Sequence, residues 1–232
     1  MAKLRYVKTP EQVKAAAEAN PEFLKSEIST IRAVYETDPA VAKAILPQPL
    51  EPTGRPEVSV VLSNVAKAPG LERAARFGVP TEVVSHRKIK PREAQERAVV
   101  EVLRRYDVDL VCLAGYMRLL SPYMIGEFRN RIVNIHPALL PAFPGLNSQE
   151  QALEHGAKVT GCTVHFVDEE CDHGPIILQA AVPILEDDTD DTLSARILEQ
   201  EHRIYPAAVR LFFEDRLLID GRRVRIAARS NA

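Results

Sequence analysis

The chain has 232 residues, 30 Lys+Arg against 32 Asp+Glu, and a formal net charge of -2. That balance gives none of the basic footprint of a nucleic-acid binder, and no apolar run reaches the roughly 18 residues a membrane span needs. Cys112, Cys162 and Cys171 have no CxxC spacing and cannot form a disulfide framework, and the polar start has no signal-peptide form, so reduced thiols in a cytoplasmic protein are expected.

Residues 1–56 hold 7 of the 17 prolines but only 1 of the 10 glycines, which sets the front apart from the body. Residues 10–20 read as a short helix and 28–36 as a strand. Asp38 is placed to N-cap a helix over 39–45 with Pro at its first position. LPQPLEPTGRPE (46–57) cannot continue a helix or a central strand, so it is read as a connector. The domain boundaries expected are therefore 1–57 for an atypical front segment and 58–232 for the body.

The body then alternates. Strands are expected at 58–64, 81–85, 109–115 and 131–135, and helices at 70–78, 91–106 and just after Ser121. Near-continuous apolar strands between amphipathic helices predict an α/β fold with a parallel sheet covered on both faces. After the proline-punctuated loop HPALLPAFPG (136–145) the rhythm changes. KVTGCTVHFVD (158–168) alternates with period two, and with GPIILQAAVPI (174–184) it predicts a hairpin. A long amphipathic helix follows over 192–215, and RRVRI closes the chain as a small strand.

Asn134 and His136 are two apart at a strand end, so their side chains face the same way. In an open α/β sheet that is the end at which ligands bind. Asp172 lies in the turn DEECDHGP (168–175), which can return an acid to the same edge. Each residue also has a plainer use. An Asn-x-His pair commonly satisfies itself, an Asp bonds its own backbone in a turn, and His165 on an alternating strand suits a core or edge. No His, Cys, Asp or Glu set has metal-ligand spacing, and no activated Ser or Cys elbow is present.

NIHPALLPAFPG (134–145) and KVTGCTVHFVDEECDHGPIILQAAVPI (158–184) resemble the phosphoribosylglycinamide formyltransferase family. LAGYMRLLSP (113–122) and LEQEHRIYP (198–206) carry the resemblance further, and it runs from about 58 to 226. It implies a Rossmann-like α/β fold with a mainly parallel central sheet, flanking helices, a C-terminal β-hairpin and a long helix. It implies transfer of a formyl group from 10-formyltetrahydrofolate to the amine of glycinamide ribonucleotide, in purine biosynthesis, without a metal.

By that resemblance Asn134, His136 and Asp172 are the catalytic residues. Asn134 is a fixed amide donor for the oxyanion, His136 donates to the same oxygen and moves the proton, and Asp172 favours the charged imidazolium. The folate co-substrate is assigned to Arg92, Met117, Arg118, Leu119, Leu120, Asn134, Val167 and Asp168. Glu201 matches the acid that holds the ribose hydroxyls of the amine substrate, with Pro137 beside it. Partners are thus two small molecules, neither nucleic acid nor membrane, and the oligomeric state is not given.

The front departs from the family. Family members open with a strand and a Gly-rich Ser-Asn loop whose N–H groups cradle the substrate phosphate, whereas Gly54 is the one glycine of residues 1–57. Residues 31–52 instead resemble the N-terminal region of acetoacetate decarboxylase-like proteins, without the later region that carries their Schiff-base lysine, so no decarboxylase activity follows. Two alternatives to the transferase stand beside it: a formyltetrahydrofolate hydrolase, and a chimera that keeps the folate site without turnover. Asn147 and Gln149 replace histidines usual after PGL, a change expected to touch tuning rather than reaction type.

Overall fold

The computed structural model describes residues 58–228 and the backbone of three short strands: β1 (Leu4–Arg5), β2 (Ala33–Glu36) and β3 (Pro56–Glu57). The helices expected at 10–20 and 39–45, and all of the decarboxylase-like stretch but β2, lie outside the described residues. So does the segment after β2, where a phosphate loop would stand. The chain divides into two compact units, Met1–Ile132 and Val133–Ala232. The fold is α/β, with a mainly parallel central sheet, flanking helices, a long C-terminal helix and a β-hairpin.

In the first unit, β4 (Val60–Ser63), β5 (Thr81–Val83) and β6 (Val111–Ala114) join β2 in the order β6-β2-β4-β5, every pairing parallel. A parallel neighbour is reached only by a crossover, and α1 (Pro69–Arg76) and α2 (Arg92–Arg105) supply two of them. All four residues of β4 and all four of β6 are buried, which is why both read as apolar runs without alternation. Ala33 of β2 lies opposite both Val60 and Val111. The expected front strand therefore occupies a central place between β4 and β6.

Helix α2 turns Val99, Val100 and Leu103 inward. Val99 and Leu103 share one apolar cavity with Leu62 of β4, Val111 of β6 and Met124 of α3 (Pro122–Glu127). Each such side chain contributes about 1.5–3 kcal/mol on burial. Glu96, also buried, is satisfied by Ser121: both its oxygens accept the Ser121 N–H at 3.1 Å, and Oε2 accepts the hydroxyl. Ser121 in turn caps α3, its hydroxyl oxygen accepting the Met124 N–H.

The second unit takes up within β7 (Ile132–His136), which pairs antiparallel with β8 (Val159–Phe166). β8 pairs antiparallel with β9 (Ile176–Pro183), the expected hairpin. Gly161 on β8 permits it, since a Cβ there would lie 1.9 Å from the Ala180 carbonyl oxygen. Two elements were not foreseen. Residues 148–154 form α4 (Ser148–Glu154), a short helix without a clear sequence signal. The closing strand is one arm of a hairpin, β10 (Leu217–Asp220) with β11 (Arg223–Ile226). Between β9 and β10 runs α5 (Asp190–Phe213), opened by a Thr189–Thr192 capping box. Its buried residues Leu193, Ile197, Glu201, Ile204 and Ala208 recur every three or four positions, one helix face. Tyr205 from that face donates its hydroxyl to the Val133 carbonyl at 3.2 Å, tying α5 to β7. No helix among the described residues is long and apolar enough to cross a membrane.

Candidate active site

Pairing register builds the site. Asn134 lies opposite His165 and His136 opposite Thr163, while Thr163 lies opposite Gln179 on the next strand. Residues two apart share a face, so Asn134, His136, Thr163 and His165 form a square of side chains on adjoining strands. Asp172, in the turn between β8 and β9, comes back onto this square. On its alternating strand His165 suits a core or edge place. It is buried, and it also meets both Asn134 and Asp172.

Burial lowers the proton affinity of His165, outweighing the opposite pull of the Phe166 carbonyl and Asp172. The ring is therefore neutral at neutral pH. A carbonyl oxygen only accepts, so the Nδ1 that lies 2.8 Å from the Phe166 oxygen carries the proton. Nε2 is left bare and accepts from the Asn134 Nδ2 at 3.3 Å. One amide proton of Asn134 is thus spoken for and its plane is set; the second remains to be offered elsewhere.

The same logic applies to His136. Its Nε2 lies 2.8 Å from the Phe143 carbonyl oxygen and donates to it. Its Nδ1 faces Asp172 Oδ2 at 3.4 Å, and a proton arriving there points at a carboxylate. Asp172 Oδ2 also accepts the Gly145 N–H at 2.8 Å, and Oδ1 lies 3.7 Å from His165 Nε2. Phe143 and Asp172 both have φ of 51°, a left-handed conformation that bulky or branched residues avoid and that clusters at functional sites. The turn that carries Asp172 closes tightly, for a Cβ on Gly174 would lie 1.9 Å from the Phe166 carbonyl oxygen. The result is two buried imidazoles with a half-buried amide and carboxylate, able to offer a hydrogen bond to an oxyanion and to pass a proton.

A formyl transferase family model matches residues 33–209, most of the chain. The chain belongs to the formyl transferase family. It is 45% identical over 160 residues to the phosphoribosylglycinamide formyltransferase of Escherichia coli, covering 69% of this chain and 76% of that protein. It is 47% identical over 169 residues to the human trifunctional purine biosynthetic protein adenosine-3. That match covers 73% of this chain but only 17% of the human protein. Among solved structures, glycinamide ribonucleotide transformylase 1 from Symbiobacterium toebii matches with a TM-score of 0.79 and 54% identity. It covers 84% of this chain and 93% of that one.

The remaining residues singled out for this formyl transferase fall in both units. In the first, Arg92 opens α2 and donates from Nη1 to the Leu119 carbonyl at 3.2 Å, linking the helix start to the 117–120 loop. Met117 and Leu119 are exposed, apolar side chains on a loop that Glu96 holds through Ser121; Arg118 and Leu120 are half-buried. In the second, Val167 and Asp168 follow β8, and Asp168 Oδ1 accepts the Glu170 N–H while Oδ2 lies 3.1 Å from His173 Nδ1. Pro137 is held by the Ser148 hydroxyl, which donates to its carbonyl at 3.2 Å. Glu201 is buried on α5, and burial pushes its carboxyl up to about 7. Cys162, with Glu201 nearby, is pushed up to about 12, first by burial and then by that acid. Asn147 occupies the N-cap position of α4 in a left-handed conformation that Asn tolerates, without a side-chain capping bond. Among the described residues no group of three or more His, Cys, Asp or Glu is placed to hold a metal ion.

Proposed function

We propose that this chain transfers a formyl group from 10-formyltetrahydrofolate to the primary amine of glycinamide ribonucleotide, the reaction of a phosphoribosylglycinamide formyltransferase. Family membership supports the reaction class. The observation that carries the residue roles is the convergence of half-buried Asn134 and Asp172 on the buried His136 and His165. Attack of an amine on the formyl carbon turns the carbonyl electron pair into an oxyanion. Asn134 offers that oxygen the amide proton His165 does not use, a fixed donor that costs no reorganisation. Because the Phe143 carbonyl occupies Nε2 of His136, Nδ1 is the nitrogen that handles protons. His136 and Asp172 take the proton shed by the attacking amine and return it to the nitrogen that leaves as the old C–N bond breaks. No covalent intermediate with the protein is required.

Arg92, Met117, Arg118, Leu119, Leu120, Val167 and Asp168 hold the folate, and Glu201 with Pro137 holds the nucleotide; the family resemblance supports these assignments. The domain that carries the activity is taken as 58–232, with β2 contributed from the front segment. Residues 31–52 keep their likeness to decarboxylase-like proteins only as a sequence feature.

The test is a formyl-transfer assay with 10-formyltetrahydrofolate, run with and without glycinamide ribonucleotide. Folate release that requires the amine, with formylated nucleotide as product, supports the proposal. Equal release without the amine assigns the hydrolase instead, and no release with folate still bound assigns a chain without turnover.

A further inference from the structure

We propose that Gln179 is a positioning residue whose carboxamide fixes the 138–145 loop that orients His136 and Asp172. The inference rests on reading His136 and Asp172 as catalytic groups. Gln179 stands at an exposed position of β9, where a polar side chain needs no protein partner. Instead its Nε2 donates twice, to the Leu140 carbonyl and to the Thr163 hydroxyl, each at 2.9 Å. The buried Thr163 hydroxyl gives its one proton to the Ala138 carbonyl at 2.7 Å and accepts the Leu140 N–H at 3.0 Å. With the bond from Gln179, one donor and two acceptor places are filled, the full capacity of a hydroxyl.

These bonds sew residues 138–140, separated from His136 by Pro137 alone, onto β8 and β9. Farther along the same loop, the Phe143 carbonyl receives the His136 Nε2–H and the Gly145 N–H reaches Asp172. Phe143 sits at a φ of 51°, so its own backbone preference does not hold the carbonyl there. Contacts must. The Gln179–Thr163 clamp secures the upstream end of a short stretch whose downstream end sets the His136 ring and one oxygen of Asp172. Sequence spacing alone concealed this, because Gln179 lies far along the chain, at an exposed position of an otherwise apolar strand.

The test uses Gln179→Met, which keeps length but donates nothing, and Gln179→Lys, which restores an N–H donor. In Gln179→Met, kcat is expected to fall roughly tenfold with KM for both substrates within about twofold, and Gln179→Lys recovers most of it. The deciding readout is exchange of the His136 Nε2 proton with water, followed by 15N NMR at a temperature where thermal unfolding shows both variants folded. Exchange faster by roughly tenfold in Gln179→Met and near wild type in Gln179→Lys supports the clamp. Exchange equal to wild type in Gln179→Met overturns it, whatever kcat does. Should either variant fail to fold, Gln179→Glu, which also lacks the donor, is read by the same exchange measurement against wild type. A wild-type chain without formyl transfer would sink the functional reading, while ring-proton exchange would still judge the clamp.

Discussion

His136 Nδ1 lies 3.4 Å from Asp172 Oδ2, and that same oxygen accepts the Gly145 N–H at 2.8 Å. The backbone bond leaves the carboxylate one direction to face, so the imidazole meets a charge rather than a freely rotating acid. Asp172→Asn keeps the shape and removes the charge. With no carboxylate to take up the proton that His136 hands on, kcat is predicted to fall by roughly 10²–10⁴ at neutral pH, the range of a lost acid-base group. Tritium-labelled folate binding is expected within about twofold of wild type, since charge and not shape has changed. A variant as active as wild type would remove Asp172 from the proton path.

Asn134 is predicted to act on the transition state alone. Asn134→Ala should cut kcat by roughly 10²–10³ and leave folate affinity nearly unchanged, the signature of a lost oxyanion donor. His165→Leu should reproduce part of that loss, because it removes the acceptor that fixes the Asn134 amide at 3.3 Å. If the double variant loses no more than Asn134→Ala, the two act as one unit. Additive losses would mean that His165 works independently.

Much of this was legible in the chain, and the limits have physical causes. Apolar runs at 58–64 and 109–115 gave fully buried parallel strands because nothing but burial on both faces selects such runs. Asn134 and His136 could be placed together by period-two geometry. The part that joins them to His165 could not be read, because antiparallel register depends on pairing between strands rather than on spacing within one. A clue was present in TVHF, where Thr163 and His165 repeat the two-apart spacing of Asn134 and His136. Helix α4 escaped because SQEQALE is short and its cap is Asn147 in a left-handed conformation, not the usual extended one. The roles of Phe143 and Gly145 are carried by backbone groups, which no side-chain pattern encodes.

Gly174→Ala is predicted to damage the site through backbone alone. An added Cβ would stand 1.9 Å from the Phe166 carbonyl oxygen, and a backbone atom cannot swing aside as a side chain does. The 168–175 turn must shift, moving Asp172 with it. Thermal unfolding should fall by several degrees, consistent with about 1–3 kcal/mol for overpacking a tight site, and kcat should fall further than stability explains. An unchanged melting temperature with full activity would show that the turn adjusts freely.

Glu201 gives a prediction in pH. Burial raises its carboxyl from 4.5 to about 7, so between those values the folded chain binds a proton that the unfolded chain has released. Stability therefore declines as pH rises through that window, and ionised Glu201 costs the empty fold roughly 3 kcal/mol above pH 7. Glu201→Gln should remove the decline, making the variant more stable than wild type at pH 8 and close to it at pH 4.5, as measured by urea unfolding. The carboxylate has a use if it accepts hydrogen bonds from ribose hydroxyls, because charged acceptors bind more strongly than neutral ones. Nucleotide KM should then fall between pH 6 and 8 in wild type, and that dependence should vanish in Glu201→Gln while folate KM stays level. A nucleotide KM that keeps its pH dependence in the variant would place the titrating group elsewhere.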